Sequence, residues 1–172
     1  MKFLDQISIQ TIENELIEID DDIFDNFEEK RKKGENDSYI CELIREDNVI
    51  DFIKFVNKKS ISLNSKINWS LFETNHFLIN NEHTLIEYAA FFGSFQIFKY
   101  LQLNQVELTP SLWIYAIHGK NAAIIHLLEE NEVIPKDKSY KECFIEAVKC
   151  HHNDIAEYIQ NKYLYNYNIY SD

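Results

Sequence analysis

The side chains able to act as ligands or nucleophiles gather in one place, where Cys150, His151, His152, Asn153 and Asp154 stand in succession. Zinc takes about four such groups in a tetrahedron, and residues within one turn of chain supply about two without strain. Cys143 lies seven positions earlier, two helical turns along an axis and too far to join easily. The five residues therefore read as a tight turn between helices, with Asn153 capping the second helix and Asp154 facing the positive end of its dipole. No metal ligand is assigned. His126 with Glu129 and Glu130, and Glu73 with His76, are polar pairs of the kind that line solvated helix faces. The chain has no G-x-x-x-x-G-K, H-E-x-x-H, C-x-x-C or G-x-S-x-G motif, and its three glycines cannot build a phosphate-cradling loop. Neither an enzyme, nor a cofactor, nor a small-molecule substrate is expected.

The bulk properties set further limits. A formal charge of -12 and a pI near 4.9 oppose the phosphate-neutralising surface that nucleic acid or an anionic membrane requires. A protein with a basic surface is the better partner, and the acidic run from Glu18 to Glu29 would steer it. Three cysteines without paired spacing suit a reducing compartment. The start of the chain lacks the apolar core of a signal peptide, and no stretch approaches the roughly 20 apolar residues of a membrane span. Membrane insertion is not expected, and a cytoplasmic location is. Among 172 residues, three Gly and two Pro leave little material for β-turns, so the composition favours an all-α fold.

Elements emerge from a recurring frame. Ala89, Gly93, Ile97, Tyr100 and Leu101 reappear 27 residues on as Ala116, Lys120, Ile124, Leu127 and Leu128. They return after 31 more as Ala147, His151, Ile155, Tyr158 and Ile159. A small residue followed by apolar residues three and four apart is the signature of two amphipathic helices back to back. A weaker echo joins Ile40, Leu43 and Ile44 to Phe52, Ile53, Phe55 and Val56. Ser94 and Asn121 stand where second helices begin, as N-caps. Asn104 and Asn131 stand where they end, as candidates for the left-handed conformation. Pro110 and Pro135 fall in the connections. The repeating units are expected at about residues 38–57, 84–108, 111–135 and 142–162. An irregular insert at 58–83 would carry a short helix or two. Residues 1–37 form an acidic N-terminal helical cap that stops at a basic, polar stretch, and 163–172 a Tyr/Asn-rich tail with strand-like alternation.

Thr84, Ala89, Ala90, Gly93, Ile97, Phe98 and Leu101 resemble the T-P-L-H-x-A-A-x-x-G-x-x-x-V-V-x-L-L line of the ankyrin repeat, with Leu85 for Pro and Glu87 for His. The segments Tyr88 to Gly93, Leu108 to Trp113, Ala116 to Gly119 and Cys150 to Asp154 look like a degenerate ankyrin-type domain of unknown function, from a family expanded in single-celled eukaryotes. The resemblance spans about residues 38–162. It implies an ankyrin-like α-solenoid of stacked antiparallel helix pairs. A 27-residue spacing is about six short of the usual 33, which implies short or absent β-hairpin fingers. With Gly93 alone in register, Lys120 and His151 must make their turns despite a Cβ.

In the ankyrin register Tyr88, Phe91, Phe92, Tyr115, His118, Glu146 and Lys149 face the concave groove, with Gly119 and Cys150 beside them, and exposed aromatics there would be interface hot spots. The competing account places Phe91 and Phe92 as filling between inner helices. Trp113 aligns with a core leucine and is expected inside. The function that follows is a protein-interaction scaffold or adaptor without catalysis. The alternative is a structural subunit held permanently in a larger assembly.

Overall fold

The computed structural model describes residues 26–80 and 82–165. The N-terminal cap up to residue 25, most of the acidic run and the tail from residue 166 lie outside the described residues. Those described form ten α-helices and no strand. They are α1 (Phe27–Lys33), α2 (Tyr39–Arg45), α3 (Val49–Lys59), α4 (His76–Ile79), α5 (Leu85–Phe91), α6 (Phe95–Leu103), α7 (Leu112–Gly119), α8 (Ala122–Glu130), α9 (Lys141–Lys149) and α10 (Asn153–Ile159). A π-helical turn, Gln160–Leu164, extends α10. The all-α expectation therefore holds.

Local chemistry explains where the helices start. At α5 the Thr84 hydroxyl accepts from the Glu87 amide at 3.4 Å while Glu87 Oε2 accepts from the Thr84 amide at 2.9 Å. This reciprocal cap satisfies two amides that a helix start otherwise leaves unpaired. Asn121 caps α8 through the Ala123 amide at 3.0 Å, as its residue type suggested. Ser94 occupies the N-cap position of α6, but its hydroxyl donates to the Ile44 carbonyl instead. The α6 amides of Gln96 and Ile97 are taken by the two Asp47 carboxylate oxygens, both at 2.9 Å. That cap comes from the preceding helix pair. Asn153 is likewise not a cap, because it is the first residue of α10 and His152 holds the N-cap position. Asp154 does lie in the first turn of α10, where the dipole favours it.

Four pairs of helices turn back on themselves through connections of two or three residues: α2 with α3, α5 with α6, α7 with α8, and α9 with α10. A residue with positive φ makes each turn, Asp47 (50°), Gly93 (67°), Lys120 (49°) and His151 (57°). Lys120 and His151 thus adopt the left-handed conformation despite their Cβ atoms. Second helices end the same way, at Ser60 (53°), Gln105 (63°) and Glu132 (54°). Here the expectation was one residue early. Asn104 and Asn131 keep negative φ, and their side-chain amides donate to the Tyr100 and Leu127 carbonyls at 2.8 and 2.7 Å. Asparagine caps the dying helix with its side chain and the next residue takes the left-handed bend.

The pairs pack upon one another: α5 lies between α2 and α7, α7 contacts α9, and α6 contacts α3 and α8. The frame residues Ala89, Ala116 and Ala147, with Ile97, Ile124 and Ile155 and with Leu101, Leu128 and Ile159, are all interior. Trp113 is fully buried, its indole N–H donating to the Val133 carbonyl at 2.6 Å. Small residues permit the closest approach. A Cβ on Gly119 would stand 2.1 Å from the Ala90 carbonyl oxygen, so α5 and α7 touch backbone to backbone. The insert contributes α4 and a single antiparallel bridge, Lys66 to Thr84. Polar bonds pin it to the segment after α1, among them Asn36 Nδ2 to the Asn68 carbonyl (2.9 Å) and the Thr74 amide to the Gly34 carbonyl (3.0 Å). The basic Lys30 to Lys33 stretch is the end of α1 itself, and Gly34 at φ 65° is the stop. Tyr163 is not part of a strand. It lies in the π-helical turn and stacks on Tyr140 at 3.7 Å, edge-on to Trp113.

Candidate functional site

Helices α5, α7 and α9 bring the seven groove residues onto one face. Tyr88 meets Phe92 at 4.7 Å, Phe92 meets Phe91 at 5.1 Å, and Phe91 stacks on His118 at 4.9 Å. His118 Nε2 lies 3.1 Å from Glu146 Oε1, and the Lys149 ammonium 3.1 Å from Glu146 Oε2. Tyr115 joins through Phe77, whose ring contacts Tyr115, His118 and Phe91 at 5.1, 4.5 and 5.6 Å.

Their exposure divides them. Tyr88, Tyr115 and Phe91 are buried, Phe92, His118 and Glu146 half-buried, and Lys149 exposed. The reason is the insert, whose helix α4 lays Phe77 over this face. Phe91 therefore belongs to the filling between elements, the competing account given to it by the sequence, while Phe92 keeps an open side. The Tyr88 hydroxyl accepts from Arg45 Nη1 at 2.9 Å, and the same nitrogen donates to the Asn36 carbonyl at 2.9 Å. Burial raises the Tyr88 and Tyr115 phenols above their ordinary value, so both stay neutral hydrogen-bonding groups. His83, interior as well, donates from Nε2 to the Leu78 carbonyl at 2.7 Å. A carbonyl only accepts, so in the neutral ring Nδ1 is the acceptor for the Tyr115 hydroxyl, 2.8 Å away.

A cavity of about 410 Å³ opens between the insert and this face, lined among others by Trp69, Leu78, Ile79, His83 and Tyr88. Trp69 is 73% exposed and Leu71 66%, large apolar areas of the kind that mark contact sites.

At the far end of the face, His118, Glu146 and Cys150 each offer a ligand-type atom within 4.8 Å of the others. Desolvation holds the His118 imidazolium below its ordinary pKa, against the pull of Glu146. Desolvation and then Glu146 raise the Cys150 thiol. The sequence places Cys150 in a turn, as found, and the ankyrin register puts it on the same face as His118, but their direct contact, across 32 positions, was not foreseen. Phe77, His83 and Arg45 were also missed. The Thr84-x-x-Glu87 pattern was legible as a helix start and would have fixed His83 just outside it.

Residues 103–172 match a family described as a domain of unknown function (DUF3447). The matched segment runs from the last residue of α6 through α7, α8, α9 and α10. Comparison with curated proteins gave no match, and neither did comparison with solved structures. No helix among the described residues is long and apolar enough to cross a membrane.

Proposed function

We propose that this chain is a protein-interaction module, an ankyrin-like α-solenoid of stacked helix pairs that serves as a scaffold or adaptor without turnover, in the cytoplasm. The single observation that supports it best is the cavity between insert and α5, with Trp69 exposed at its rim and Tyr88 and His83 rigidly held behind it. A preformed recess of mixed lining, apolar at Trp69, Leu78 and Ile79 and polar at Asn68, Glu73 and His83, beside an exposed Trp is where a partner's anchoring side chain can leave water and still find hydrogen-bond partners. Phe92, His118, Glu146 and Lys149 extend the contact along the face, and the net charge of -12 favours a partner with a basic surface. Nucleic acid is not part of this reading.

The test is capture from cell lysate with the intact chain beside Trp69→Ala, followed by mass spectrometry. A partner retained equally by both would remove the cavity rim from the contact.

A second reading, a structural subunit held permanently in an assembly, draws on α9. Ile145 and Val148 there are 50% and 47% exposed, apolar area that a neighbouring subunit would cover. Sedimentation of the isolated chain separates the two: a monodisperse monomer supports the module, and concentration-dependent self-association supports the subunit.

A further inference from the structure

The three ligand-type side chains at the junction of α7 and α9 come from two successive helix pairs and are packed for a purpose that a helix turn alone does not require. His118 is the penultimate residue of α7, Glu146 lies in α9, and Cys150 follows α9 directly. Glu146 accepts from His118 Nε2 at 3.1 Å, which leaves the Nδ1 lone pair facing the Cys150 sulfur at 3.5 Å. Zinc bonds of about 2.3 Å to sulfur and about 2.0 Å to nitrogen, set at the tetrahedral angle, place those two atoms about 3.6 Å apart. The S and N edge of a tetrahedron is thus already formed. A carboxylate on the far nitrogen of a ligating imidazole is also the arrangement that fixes tautomer and ring orientation at metal sites.

We propose that Cys150 and His118 bind a zinc-class divalent ion, with Cys150 as thiolate and His118 through Nδ1, and with Glu146 on the far nitrogen, Nε2, holding the imidazole in the ligating tautomer. Binding releases the Cys150 thiol proton to solvent. The two anions then balance the dication. Stacking of the His118 ring on Phe91 and contact with Phe77 hold it in place, so the ligands are set before the ion arrives. Thiolate and imidazole select zinc or cobalt over magnesium and calcium. Two protein ligands leave two positions of a tetrahedron open to water or to a docked chain.

Cobalt titration of the reduced intact chain reads the site directly. A thiolate-to-cobalt charge-transfer band is expected, which zinc abolishes and magnesium leaves unchanged. Cys150→Ser should eliminate the band, and His118→Gln and Glu146→Gln should each weaken cobalt binding by about tenfold or more. Zinc should raise the melting temperature of the intact chain and not that of Cys150→Ser. Circular dichroism of each variant confirms that it is folded. The proposal is overturned by absence of the band from the intact chain. It is equally overturned by a band that survives Cys150→Ser, or one indifferent to both His118→Gln and Glu146→Gln, since a single surface thiol would then account for it.

Discussion

Individual side chains of the expected groove carry the fold. Tyr88 and Phe91 are buried and meet both the insert and α2 through Phe77 and Arg45. Truncating either to alanine should cost about 3–5 kcal/mol, and the double variant should lose helical circular dichroism rather than partner binding alone. Thiol chemistry gives a second residue-level expectation. Cys41 and Cys143 are fully buried, and burial lifts the Cys143 thiol to about 12, whereas Cys150 is only half-buried. In the native protein a thiol reagent should label Cys150 first and reach the other two only with denaturant; mass spectrometry of the labelled peptides checks the order. Glu129 sets a pH dependence. Burial opposes its charge, but hydrogen bonds from Tyr163, Lys162, His126 and Tyr158 outweigh that and hold its carboxyl below the ordinary 4.5. A depressed carboxyl contributes stability in full above its unfolded value and loses it as pH falls through the folded one. Glu129→Gln should therefore destabilise at neutral pH and flatten the fall in stability on the acid side, measured by urea unfolding from pH 7 to 3.

The close approach of α5 to α7 decides what the helices can tolerate. Gly119 and Gly93 face each other across the interface, and a Cβ on Gly119 would meet the Ala90 carbonyl oxygen at 2.1 Å and the Gly93 nitrogen at 2.8 Å. Both neighbours are backbone, so relief requires shifting a helix. Gly119→Ala should destabilise by about 1–3 kcal/mol or more, read as a lowered melting temperature with the far-ultraviolet spectrum of the folded state unchanged. Neighbouring pairs are also joined by hydrogen bonds from the turns: Ser94 to the Ile44 carbonyl, Asn121 Nδ2 to the Gly93 carbonyl at 2.9 Å, and His152 Nδ1 to the Ile117 carbonyl at 2.8 Å. In the last three pairs the residue after the left-handed turn thus reaches back to the preceding pair.

Across the whole molecule, stability should be a sum of pair and interface contributions. Removing residues 137–172 would uncover Trp113, which Tyr140 and Tyr163 cover edge-on. The truncated chain should unfold at a markedly lower urea concentration, with a smaller dependence on denaturant because less surface is exposed. The apolar period of the frame was enough to find the paired helices, since residues three and four apart on a helix must share its buried stripe. Lys120 and His151 at the turns, the cap at Asn121 and the interior place of Trp113 were likewise readable, because each depends on neighbours in sequence. What the sequence could not supply is any relation that crosses long separations through an irregular segment. The insert has no period to read, so only tertiary packing laid Phe77 upon Phe91 and His118 and turned half an expected groove into core. The same packing brought His118 to Cys150, two groups on different helix pairs whose distance no local pattern specifies.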